Sequence, residues 1–169
     1  MARAVRKLLD RLYFAAGAVA GACIVLITVM ILAQIVGRWF GVIIPSTEDF
    51  SGYLLAAATF LALAYTFRHG GHIRVTLLIH RLSTRLQRRL THVVLALFVV
   101  IMGWGAWHIC YLVYESWSFE ELSQGYIAIP LWIPQVPMAL GAVLFFIALI
   151  DDLVCSLRGA TPTFLELEE

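Results

Sequence analysis

The sequence predicts an all-α integral membrane protein with four transmembrane helices and both termini on the cytoplasmic side. Two observations carry the class. Of the 169 residues, 62% are hydrophobic and only 14% charged, against roughly 45–50% and about 25% in soluble domains. A short chain leaves much of itself near water and cannot hide that surplus in a core. The charges also cluster between long uncharged stretches, none of which alternates apolar and polar residues as a barrel strand does.

Four stretches lack Asp, Glu, Lys and Arg: 26 residues between Arg11 and Arg38, 18 between Asp49 and Arg68, 25 between Arg89 and Glu115, and 29 between Glu121 and Asp151. A spanning helix needs about 20 residues, which the second barely reaches. Helices are expected over about residues 12–40, 48–67, 84–114 and 134–152, in one membrane domain with a tail over 159–169.

The first span follows Arg3, Arg6, Lys7 and Arg11. Its apolar run far exceeds the roughly 7–15 residues of a signal-peptide core, and no small-residue cleavage site follows, so it reads as a retained helix. Val5, Leu8, Leu9 and Leu12 lie opposite the basic residues, which suits an interfacial turn over residues 3 to 14. Before the second span, Pro45-Ser46-Thr47-Glu48-Asp49 is a helix start: Ser46 or Thr47 can cap, and two acids suit the positive end of the helix dipole. Arg38 closes the first span on the same side, so an ion pair with Glu48 or Asp49 would staple the first two helices together.

Between the second and third spans, Arg74, Arg81, Arg85 and Arg88 share one arc of a helical wheel, beside Val75, Leu78, Ile79 and Leu82. Leu77 and Arg89 fall outside the pattern, and Ser83 suits an N-cap, so two helical pieces are expected. A basic amphipathic segment over about residues 73–82 would lie on the bilayer surface, where each cation near anionic lipid contributes about 1 kcal/mol. Pro130, Pro134 and Pro137 crowd the fourth span, whose helix is expected to start near Pro134 or Pro137, after a re-entrant or interfacial approach over Tyr126–Ile133.

Lys and Arg divide eleven to one between the two sides, with Arg38 alone on the poorer side. The positive-inside rule then places both termini in the cytoplasm. The outer side is acidic, with Glu48 and Asp49 in one loop and Glu115, Glu120 and Glu121 in the other.

An ion or substrate pathway usually shows itself as ionisable residues within the spans or as broken helices. Here every acid flanks a span, and the polar residues inside include Thr28 and Gln34 in the first, Thr59 and Tyr65 in the second, and His92 and His108 in the third. That set is too small for a transport site. Cys23, Cys110 and Cys155 lack metal-ligand spacing. His92 and His108 are sixteen residues apart on one helix, about 24 Å at 1.5 Å per residue, too far to ligate one haem together. No cofactor or metal is therefore expected. Gly17 and Gly21 form a GxxxG, and Gly52/Ala56 and Ala58/Ala62 continue small-residue rows that let helices approach closely, within this chain or with another. Trp39, Trp104, Trp107, Trp117 and Trp132 mostly suit an aromatic belt.

These motifs resemble the small membrane subunit of tripartite ATP-independent periplasmic (TRAP) transporters, the DctQ-like proteins. The likeness spans nearly the whole chain. Val36-Gly37-Arg38-Trp39-Phe40 closes the first helix, and Pro45-Ser46-Thr47-Glu48-Asp49-Phe50 starts the second. Arg68-His69-Gly70-Gly71-His72-Ile73-Arg74-Val75 is similar to the family's Arg-x-Gly-x-His-Ile-x-Val segment, and Ile129-Pro130-Leu131-Trp132-Ile133, with Pro137 following, to the start of its fourth helix. Ser46 stands where the family often has Trp, which weakens an aromatic anchor there. Thr76 stands where Asp commonly follows, which removes a charge contact near Arg74.

The resemblance implies a non-enzymatic small permease subunit in the bacterial inner membrane, part of a sodium-coupled secondary transporter. A separate large membrane subunit would hold the substrate and sodium sites, and a periplasmic binding protein would deliver the substrate, often an organic acid anion. Arg38, Glu48, Asp49, Arg68, His72 and Arg74 would be architectural or interface residues. Glu48, Asp49, Glu115, Glu120 and Glu121 would be docking candidates for the binding protein, and Gly17, Gly21, Gly52 and Ala56 would pack helices. Two other classes fit a small four-helix membrane chain: a haem-bearing anchor subunit of an oxidoreductase, which would show a Soret band, and a homo-oligomeric channel or carrier, which would carry flux alone.

Overall fold

The computed structural model describes residues 3–69 and 84–157. They form four helices: α1 (Arg3–Trp39), α2 (Thr47–Arg68), α3 (Thr84–Ser118) and α4 (Trp132–Leu157). All four are long and apolar enough to cross a membrane. His72, Arg74, the amphipathic segment at 73–82, the Ser83 cap and the tail at 159–169 lie outside the described residues.

The basic segment before the first span is continuous with it, so α1 has 37 residues. At 1.5 Å per residue it is about 55 Å long, well beyond the roughly 30 Å hydrocarbon layer. A Schellman turn ends it: Gly41 adopts φ 73°, the Val42 N–H donates to Gly37 O at 2.8 Å, and the Gly41 N–H donates to Arg38 O at 3.2 Å. α3 ends in the same motif, with the Glu121 N–H bonded to Ser116 O and the Glu120 N–H to Trp117 O. There the left-handed position is held by Glu120 at φ 50°, a conformation that favours glycine.

The start of α2 differs from the expected cap. Ser46 is left-handed (φ 56°) and makes no side-chain cap bond, because its hydroxyl accepts the Ile127 N–H at 3.1 Å from the α3–α4 loop. The Thr47 hydroxyl turns back to donate to Ile44 O. Glu48 and Asp49 do occupy the first turn. α4 begins at Trp132, ahead of both expected prolines. Pro134 falls in the first turn, where an amide has no helical partner anyway, and Pro137 is inside the helix.

Extensive contacts join α1 to α2, α2 to α4, and α4 to α3. The order is therefore α1–α2–α4–α3, open between the two outer helices. Close approach comes from small residues. A Cβ on Gly17 would meet the Tyr65 ring at 2.8 Å, one on Gly103 would meet the Phe146 ring at 2.8 Å, and one on Gly141 would overlap the Phe60 backbone. Ala16, Ala20 and Cys23 of α1 pack with Ala57, Ala58 and Leu61 of α2. At the end where α1 begins and α4 ends, Tyr13, Ala64, Leu95, Phe145, Ala148 and Leu149 draw all four helices into one cluster. Large apolar side chains elsewhere, among them Val25, Val100, Trp104 and Trp107, face outward, as lipid- or partner-facing residues do.

Candidate functional site

Charge concentrates at the two ends of the helices. At the end where α1 begins and α4 ends, Arg68 closes α2 with its side chain only 6% exposed. Its Nη2 donates to Asp10 Oδ1 of α1 at 2.8 Å, and its Nη1 to Asp151 Oδ2 at 3.2 Å and Asp152 Oδ1 at 3.5 Å, both of α4. Asp152 is fully buried, whereas Asp10 is 52% exposed. The guanidinium also lies over the Tyr13 ring, 5.5 Å from its centroid, within cation–π range. A rigid fork of donors can serve several carboxylates at once, so one arginine joins three helices.

The sequence marks Arg68 but not these partners. Asp10, Asp151 and Asp152 read there as acids flanking their spans. The available signal was topological: with four spans, the start of the first and the ends of the second and fourth share one side.

At the opposite end, the α3–α4 loop folds onto the start of α2. An isolated bridge pairs Leu122 with Pro130, and the Leu131 N–H bonds to Glu121 O. Ser123 ties the two arms: its N–H donates to Ile129 O, and its hydroxyl accepts the Ile129 N–H at 3.0 Å. The loop tip reaches Ser46, and Gly125 lies against the Asp49 carboxylate, which a Cβ there would meet. Glu121 accepts the Ser116 hydroxyl at 2.8 Å.

The structure thus brings Asp49 and the Glu121 loop together, while the carboxylates of Glu48, Glu120 and Glu121 stand at exposed positions and Glu115 is half-buried. Arg38 is exposed, and among the described residues no ion pair joins it to Glu48 or Asp49. Gly17 packs on Tyr65, but a Cβ on Gly21 or Gly52 would meet nothing within 4 Å, and Ala56 is half-buried. Gly103 and Gly141, which the small-residue rows did not include, make close helix contacts instead.

The histidines have local partners. His92 Nε2 lies 3.3 Å from Ser156 O of α4, and the ring of His108 meets Trp104 edge-on with centroids 4.4 Å apart. His69 stacks on Tyr65 at 4.1 Å. Among the described residues, no three His, Cys, Asp or Glu side chains are grouped as a metal site.

Residues 27–159 match the family described as "Tripartite ATP-independent periplasmic transporters, DctQ component". Comparison with curated proteins gives no match.

Proposed function

Because the chain belongs to the DctQ family of tripartite ATP-independent periplasmic transporters, we propose that it is the small permease subunit of a sodium-coupled secondary transporter importing a small organic acid anion. The family is a transporter component that works with a large membrane subunit and a binding protein. Multi-pass residence in the inner membrane agrees with four helices of spanning length.

One observation supports the scaffold role best. The carboxylates of the described residues gather at helix ends, either around Arg68 or at the opposite, two-loop end, where the α1–α2 and α3–α4 loops lie, and the Arg68 set is occupied in joining α1, α2 and α4. Charge used this way fixes helices relative to one another, whereas a pathway places charge along the spans. The small subunit would therefore widen and brace the large one, which would carry the substrate and sodium sites. Both termini and the Arg68 cluster would face the cytoplasm, and His72 and Arg74 would serve as interface residues, as the family resemblance implies.

The two-loop end would face the periplasm and dock the binding protein through Glu48, Asp49, Glu115, Glu120 and Glu121. Holding Glu120 in a left-handed conformation costs of order 1 kcal/mol, and such strain tends to gather at functional sites. The latch of Ser46 and Asp49 onto the loop gives these acids a fixed base, which favours electrostatic recognition by preorganisation.

The test is mild solubilisation of the tagged chain from its host, followed by uptake in proteoliposomes. The expected result is recovery of one large polytopic membrane protein at one-to-one stoichiometry. Uptake should then need both chains, the binding protein and a sodium gradient. Flux by this chain alone, or a Soret band in place of the large partner, would overturn the proposal.

A further inference from the structure

The Schellman turn at the end of α1 leaves Gln34, Ile35, Arg38 and Trp39 lining a concavity on the outside of the helix. Spacings of three and four place these residues on one face. The lining offers an arginine fork, a side-chain amide and an indole N–H as donors, and no carboxylate. Among the described residues, Arg38 is the one Lys or Arg at the end where the α1–α2 and α3–α4 loops lie. The acids best placed in sequence to neutralise it make no ion pair with it, and Asp49 is turned instead toward Gly125. Beside the donors lies bare apolar surface: Trp39 and Phe40 are each 79% exposed and Ile43 is 87% exposed.

Cationic donors with an apolar apron, at the end of a membrane-spanning helix, suit an anion that carries hydrocarbon. The geometry points to a phospholipid site, in which Arg38, with Gln34 and the Trp39 indole, holds the phosphodiester of a lipid in the leaflet at the two-loop end. The planar guanidinium matches two phosphate oxygens at once. Indole sits at headgroup depth with its N–H toward polar groups and its ring toward hydrocarbon. Ile35 and Phe40 then meet the glycerol and the first methylenes. The site requires only that the chain spans a bilayer, so it stands or falls apart from the transport assignment.

The experiment is native mass spectrometry of the delipidated full-length chain, titrated with phosphatidylglycerol, phosphatidylethanolamine or diacylglycerol. Both phospholipids should give a retained adduct that diacylglycerol does not. Arg38→Gln should weaken it by about tenfold or more, as expected for loss of a charge-assisted bidentate contact, and Arg38→Lys by less. Trp39→Phe, which keeps the ring and removes the donor, should weaken it about fivefold. That variant also serves if Arg38→Gln fails to fold, judged by its melting midpoint. Phospholipid retention unchanged in Arg38→Gln and Trp39→Phe would overturn the site. So would displacement of the lipid by inorganic phosphate at equal concentration, or a cross-linker at position 38 that captures the large subunit in place of lipid.

Discussion

Asp10 accepts a 2.8 Å bond from Arg68 across 58 residues of sequence, tying the start of α1 to the last residue of α2. The two groups differ in solvent access, with Arg68 buried and Asp10 half-exposed. That difference makes their substitutions unequal. Arg68→Ala strands the α4 carboxylates in a buried place and should cost about 3–5 kcal/mol. Asp10→Asn removes one exposed partner and should cost under about 1 kcal/mol. Thermal or denaturant unfolding in detergent would rank the two, and Asp152→Asn should exceed Asp10→Asn because Asp152 has no solvent to fall back on.

The glycines make a second ranking. Gly141→Ala drives a methyl into the Phe60 backbone and should destabilise by about 1–3 kcal/mol, as overpacking does. Gly21→Ala and Gly52→Ala enter open space and should be neutral or stabilise by up to about 1 kcal/mol through helix propensity. If either of the latter nevertheless lowers recovery of the large subunit, that glycine lies at the interface between the chains.

The helix order is testable by cross-linking. A Cβ on Gly17 would stand 3.1 Å from Tyr65 Cβ, near the spacing of about 3.5–4.5 Å in a disulfide. After Cys23, Cys110 and Cys155 are replaced, Gly17→Cys with Tyr65→Cys should oxidise readily to a linked α1–α2 pair, seen as a mobility shift on gels. Val25→Cys on α1 with Val100→Cys on α3 should not link within one chain.

The Ser46 hydroxyl holds the α3–α4 loop to the start of α2. Ser46→Ala removes the acceptor of the Ile127 N–H and should cost about 1 kcal/mol. Amide exchange over residues 119–131 should rise while that of α2 stays unchanged. Glu120→Gly relieves a left-handed residue and should stabilise by about 1 kcal/mol. If Glu120 docks the binding protein, the same change should weaken docking, so stability and transport would move in opposite directions.

The spans were legible because charge marks their limits, and four helices stand where the uncharged stretches lie. Side-chain pairing was less so. Arg38 with Glu48 or Asp49 was the pair suggested by nearness in sequence, yet the structure pairs Arg68 with acids 58, 83 and 84 residues away. Local spacing says nothing about which helix ends converge. Ser46 carried a true helix-start signal, but a tertiary bond to Ile127 outcompeted the local cap. The GxxxG in α1 named one glycine that meets a neighbour, Gly17, and one that does not. Helix packing uses a face, and a sequence row cannot say which partner the face meets. Proline gave the approximate start of α4 and missed its first residues, since Pro134 is tolerated inside the first turn.

The arrangement around Arg68 also sets an order of events during synthesis. Asp10 and Arg68 enter the membrane with the first two helices, but Asp151 and Asp152 arrive only with the last. Because α4 packs between α2 and α3, α3 has no extensive helix partner until α4 follows it. A nascent chain halted before α4 exposes a basic group without either of its α4 carboxylates, together with an undocked third helix. The fourth helix therefore closes the arrangement, supplying Asp151 and Asp152 to Arg68 and a packing face to α3 in one step.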